Sequence, residues 1–342
     1  MIGERVRLAR EACRLTQQQL ADAASISQGT LSDVEAGRVL RPSERTIAMI
    51  AQATHYPVSF FYLGPIPDLP VGHYRKLARG ASKVGRQIRA QVQQVVEVVQ
   101  RAEDSLKLPP IRIEPVESVS SLEDVERVAE AARASLGLGK TEPVANVVRA
   151  VERAGIIVVR LPGDMEDHFA FSSWPDFRID GRPIIALMAG GSGDRDRLSA
   201  SHELGHLILH TLRPGLERQQ AEPEAYRFAG AFLLPRASAK IALGPPLTLR
   251  VLMGVKATYG LSIAAAAQRA FDLKMISKTQ FASIHKQLSA RRWKKAEPVE
   301  VPQERPLLIS KIVDRLGGSG STSERADRLS LPVFAVRALT AA

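Results

Sequence analysis

His202 and His206 stand four residues apart with Glu203 beside the first of them, in the run His202-Glu203-Leu204-Gly205-His206. Side chains at i and i+4 leave a helix from the same side, so both imidazoles can chelate one ion. A helix is therefore required here before anything else is known of the chain. Leu204, Leu207, Ile208 and Leu209 make that helix mostly apolar, which predicts that both histidines are partly buried. Glu203 sits where a carboxylate can take a proton from water activated by the ion and hand it to a leaving amine.

A catalytic zinc site takes three protein ligands and keeps one position open. The segment from Glu222 to Ala229 opens a helix, expected near 223–233, whose first turn can direct a carboxylate at the histidines. Glu222 and Glu224 lie about 200° apart around a helix, so only one of them can face the ion, and spacing leaves the choice open. His210 is too far along the axis to be a third ligand on the same straight helix; it is expected in solvent or behind the ligands.

The 342 residues leave room for two or three domains, and 45% hydrophobic with 24% charged residues is an ordinary globular proportion. Cys13 is the single cysteine, which excludes an internal disulfide and any multi-cysteine metal cage. No uncharged apolar run reaches the ~18 residues of a membrane span, and charges run through the first fourteen residues, so the expectation is a soluble, cytoplasmic protein without membrane contact. The net charge of +11 is unevenly spread: residues 1–62 hold seven Arg against six acids, while Gly72 to Arg101 hold seven Lys or Arg against Glu97.

Residues 1–63 read as five short helices. Thr16 and Gln19 form a capping box for the second, and Ser27 caps a third that runs from Gln28 to Ala36 and ends at Gly37. That spacing makes a helix-turn-helix. Residues 64–110 read as a proline-punctuated linker and one long helix over 82–106, expected as a dimer interface or, alternatively, a nonspecific nucleic-acid arm. Residues 111–298 read as an α+β domain with helices at 122–136 and 143–154, strands at 155–161, 168–173 and 183–189, and five further helices. Residues 299–342 read as a mixed tail with a flexible break at 317–321 and a helix near 323–329.

Ser199 to His210, Glu222 to Ala229 and Phe232-Leu233-Leu234-Pro235 resemble the ImmA/IrrE family of metallopeptidases. Tyr259 to Ile263, Arg195-Asp196-Arg197, Arg291-Arg292-Trp293 and Glu297-Pro298 extend the resemblance over about 111–298. It implies a zincin-like α+β fold with a small mixed sheet, Zn2+ or another divalent metal held by His202, His206 and Glu222, and Glu203 as the catalytic base. Tyr226 stands where that family usually has Asn. The implied activity is selective cleavage of a regulatory protein, often a repressor.

The first domain separately resembles the Xre/Cro type of helix-turn-helix, through Leu15 to Ala21, Ser27 to Ser32 and Glu35-Ala36-Gly37. Gln28 can make bidentate contacts to adenine, while Thr30, Ser32 and Arg38 can reach base edges or phosphates, with Ser27 at the head of their helix. Gln17, at a helix N-terminus, would hold a phosphate. The expected partners are a double-stranded DNA operator, a protein substrate of the Xre-repressor type and a second copy in a homodimer. Strand 168–173 is expected to align an extended substrate, with His168 as a candidate oxyanion contact. The alternative is a transcription factor whose second domain senses a metal, ligand or partner without turnover.

Overall fold

Thr16, Ser27 and Ser43 each accept a hydrogen bond from the backbone N–H three residues on, and these caps set where the first helices begin. In the computed structural model, which describes residues 2–69, 83–162, 170–175, 181–293 and 296–340, they give α1 (Ile2–Ala12), α2 (Gln17–Ala23), α3 (Gln28–Glu35) and α4 (Glu44–Thr54). A 3-10 helix (Val58–Tyr62) closes the bundle with Phe60 and Phe61. Val6, Leu20, Leu31, Ile47 and Ile50 are fully buried at its centre. The Thr16–Gln19 capping box is present, and Gly37 takes φ +71° at the end of α3, a conformation open to glycine.

The long helix, α5 (Lys83–Glu103), lies inside the chain. Ile88, Val92, Val95, Val96 and Val99 pack on the sheet and on C-terminal helices. Ala90 joins the core of the first domain, and Gln94 donates to the Tyr56 hydroxyl at 2.6 Å. Arg5, buried in the first domain, pairs with Glu97 and donates to the Gly64 carbonyl at 2.6 Å. This corrects the view of α5 as a dimer interface or free nucleic-acid arm: a helix buried along so much of its surface has little left for another molecule.

The second domain holds α6 (Leu122–Ser135), α7 (Val147–Arg153), β1 (Ile157–Leu161), β2 (Ala170–Ser173), β3 (Ile184–Met188), α8 (Gly193–His210), α9 (Arg218–Leu233), α10 (Arg236–Ala242), α11 (Leu249–Tyr259), α12 (Ile263–Asp272) and α13 (Lys278–Ala290). The sheet is mixed, in the order β1-β3-β2. β3 runs parallel to β1, with Ile157 opposite Ile184, and antiparallel to β2, with Phe171 opposite Ala186. All five β3 residues are buried because alternate side chains enter different cores. Ile185 and Leu187 face the helices of this domain, and Ile184, Ala186 and Met188 face α5.

Three differences from the sequence reading bear on how the site is held. Helix α7 starts later than 143, because Asn146 supplies its cap. Helix α9 starts at Arg218 and carries Pro223 inside it, so the proline does not mark the helix start. The tail holds three helices, α14 (Leu308–Gly317), α15 (Thr322–Leu329) and α16 (Val333–Thr340), with the 317–321 run connecting the first two. The N-terminus of α14 is satisfied by Glu152, whose Oε1 accepts from Leu307 and Leu308 N–H at 2.7 Å each, a cap invisible in local sequence.

Candidate metal centre

Gly205 sets the spacing of the two helices that build the site. A Cβ at this position would lie 3.0–3.2 Å from Phe228, so glycine lets α9 approach α8 closely. Ala221, Ala225 and Ala229 are fully buried on α9 and add no bulk that would separate the pair. Glu222 is thereby carried over the turn of α8 that presents His202 and His206.

The Nε2 atoms of His202 and His206 lie 3.0 Å apart, and Glu222 Oε2 is 3.5 Å from His202 Nε2. The donor atoms of all three residues fall within 4.8 Å of one another. Ligands about 2.1 Å from a tetrahedral ion are separated by about 3.4 Å, so two nitrogens and a carboxylate oxygen at these distances fit a divalent cation. His202 and His206 are buried and Glu222 is half-buried. A hydrogen bond to His202 holds the Glu222 carboxyl below its ordinary range against the opposing push of burial, with help from Arg218. Glu222 thus meets a cation as a carboxylate.

Glu224 points elsewhere. Its Oε2 accepts from Arg213 at 2.7 Å and lies 3.1 Å from His210 Nε2. His210 is 1% exposed, and its Nδ1 lies 2.8 Å from His206 Nδ1, so of its two expected environments it occupies the one behind the ligands. Glu203 is buried, and its Oε2 accepts from Ser172 on β2 at 2.6 Å.

In the first domain, Gln28 and Thr30 are exposed along α3, and Gln28 Nε2 donates to Gln17 Oε1 at 3.2 Å. Gln17 in turn donates to Glu35, which also takes two bonds from Arg10 at 2.6 and 2.9 Å. Ser27 is occupied as the cap, bonding Thr30, and Arg38 lies against Asp33 and Ser32.

A helix-turn-helix domain family matches residues 2–58, and the IrrE N-terminal-like domain family matches residues 151–271, which contain every residue of the His-His-Glu cluster. The chain joins a helix-turn-helix domain to an ImmA/IrrE-type peptidase domain. No curated protein matches it.

Tyr226, where the resemblance leads one to expect Asn, has its ring centroid 4.3 Å from that of His202 at a tilt of 53°, while the residue is 57% exposed. His202 Nδ1 is buried with no hydrogen-bond partner among the described residues. β2 is an edge strand bonded to β3, and it begins at Ala170; His168 lies outside the described residues. The sequence reading missed Ser172 and Arg213. Nothing local marks Ser172, because its partner is 31 positions away, whereas an arginine one turn past His210 was a usable signal.

Proposed function

We propose that the chain is a DNA-binding regulator whose second domain is a zinc-dependent endopeptidase, cleaving a regulatory protein of the repressor type. The observation that carries the reading is the convergence of His202, His206 and Glu222 with Glu203 one residue from the first ligand. Zn2+ supplies a Lewis acid that polarises the scissile carbonyl and makes water more acidic. Glu203 takes the proton of the attacking water and returns it to the leaving amine, with Ser172 fixing its carboxylate. The β2 edge offers backbone groups on which an extended substrate can align.

On the DNA side, Gln28 reads adenine with Gln17 bracing its amide, and Thr30, Ser32 and Arg38 reach bases or phosphates. Gln17 also stands at the N-terminus of α2, within reach of a phosphate. Ser27 sits at the head of α3, where its hydroxyl both caps the helix and borders the backbone contact. Two copies on paired half-sites complete the operator complex. No helix among the described residues is long and apolar enough to cross a membrane, in keeping with action beside DNA in the cytoplasm.

A second reading, a metal sensor without turnover, draws on the unpartnered Nδ1 of His202, which leaves one ligand weakly oriented and suits reversible occupancy. Glu203→Gln separates the two. Catalysis predicts retained Zn2+ and DNA binding with cleavage of a repressor-type protein reduced about 100-fold or more. An unchanged cellular response in that variant favours the sensor.

A further inference from the structure

We propose that Arg213, Glu224 and His210 form a positioning chain that keeps the His206 proton on Nδ1 and presents Nε2 to a divalent cation, making His206 the anchoring ligand. The proposal rests on the metal-centre reading above. His206 comes from α8, Glu224 from α9 and Arg213 from the segment between them, so three parts of the chain fix one arrangement.

The contacts run in one direction. Arg213 Nη1 and Nη2 donate to the two Glu224 oxygens at 2.7 and 3.3 Å, which engages both oxygens as acceptors and fixes the carboxylate in plane. Glu224 Oε2, already an acceptor from Arg213, faces His210 Nε2 across 3.1 Å, so His210 carries a proton on Nε2 and donates it. In a neutral His210 the lone pair then lies on Nδ1, 2.8 Å from His206 Nδ1, which is the donor. The remaining lone pair of His206 is on Nε2, the atom that converges with His202 and Glu222. With both rings neutral, reversing the proton on either one sets two lone pairs or two hydrogens against each other.

The His210 side chain has no exposed surface, so water cannot take the place of either bond. Donation from the far nitrogen toward a carboxylate makes an imidazole a better base and fixes its plane. His202 has no matching support: its Nδ1 is unpartnered among the described residues and its ring rests on Tyr226. The two histidines of the motif are thus unequal as ligands.

The test uses the full chain with 15N-labelled histidine, stripped with a chelator and then titrated with Zn2+. The expected result is His206 as the Nδ1–H tautomer before Zn2+ is added. In His210→Phe, which keeps a flat aromatic ring but has no acceptor, that preference is lost and Zn2+ affinity falls roughly 10–100-fold. His210→Gln, with a carbonyl for His206 and an amide for Glu224, recovers most of both. If His210→Phe fails to fold, as read by its unfolding midpoint without metal, Glu224→Gln replaces it with an expected loss of about tenfold. An Nε2–H tautomer for His206, or a folded variant within twofold of the parent affinity, overturns the proposal. A parent chain with the Nδ1–H tautomer but no Zn2+ binding removes the metal-centre reading alone and supports the proton arrangement.

Discussion

Ser172 Oγ donates to Glu203 Oε2 across 2.6 Å, linking the edge strand of the sheet to the carboxylate beside the first metal ligand. β2 pairs with β3 through Ser172 opposite Ile185, so the register of the sheet places this hydroxyl. A strand that can grip a substrate and a residue that can move its proton are thereby set by the same backbone.

Ser172→Ala should leave Zn2+ content close to the parent, because neither Glu222 nor the histidines lose a contact, while stability falls by about 1–3 kcal/mol because the buried Glu203 loses a donor. Losing a hydrogen bond to a charged group costs about 1.5 kcal/mol, so kcat/KM for the cleaved protein should fall roughly tenfold. Steady-state kinetics on the purified pair checks this. An unchanged rate would mean that the bond does not position the base.

Tyr226→Asn should tighten metal binding. Asparagine on this turn of α9 can accept from His202 Nδ1, which is buried without a partner among the described residues. Partners behind a metal-bound histidine typically contribute 10–100-fold in affinity. Competition against a fluorescent chelator should show Zn2+ held about tenfold more tightly. Equal or weaker binding would show that the tyrosine ring already orients His202.

Glu126 is one buried carboxylate on which the acid stability of the second domain depends. Burial pushes its pKa up, but Arg269, Arg227 and Arg236 outweigh that and hold it below the ordinary value of 4.5. A depressed carboxylate stabilises the fold fully above its unfolded pKa, and the contribution is lost as pH falls through the lower, folded pKa. Glu126→Gln should therefore cost about 3 kcal/mol at neutral pH, with the gap to the parent closing as pH drops below about 4.5. Urea unfolding across that range measures it; a gap independent of pH would contradict the assignment.

Gln28→Ala should weaken operator binding by about 1–3 kcal/mol and relax the preference for adenine at one position. Gln17→Ala removes the brace on the Gln28 amide and should cost about 1 kcal/mol, with little added effect in the double variant. Full additivity in binding titrations would show that the two residues act separately.

The features visible in the sequence are those with local causes. Thr16, Ser27 and Ser43 stop and start helices through atoms three residues away, and the four-residue spacing of His202 and His206 defines one helix face. Hidden features depend on distant partners. Glu152 caps α14 from 155 positions away, and Arg10 pairs with Glu35 across two helices. Position around α9 could not choose between Glu222 and Glu224; the family resemblance pointed to Glu222, and packing at Gly205 and Phe228 brings Glu222 to the histidines while Arg213 takes Glu224. The charge-rich run ending in α5 resembled a solvated arm because its basic residues stand out in sequence, yet its valines lie under the sheet and the C-terminal helices.

The central claim is that one cation sits among His202, His206 and Glu222. Crystals of the full chain grown with Zn2+ and measured on both sides of the zinc absorption edge test it most directly. The account predicts a single strong anomalous peak about 2.1 Å from both Nε2 atoms and from a Glu222 oxygen, with Glu224 still on His210 and Arg213. No peak there, or one bound by Glu224 in place of Glu222, would contradict it.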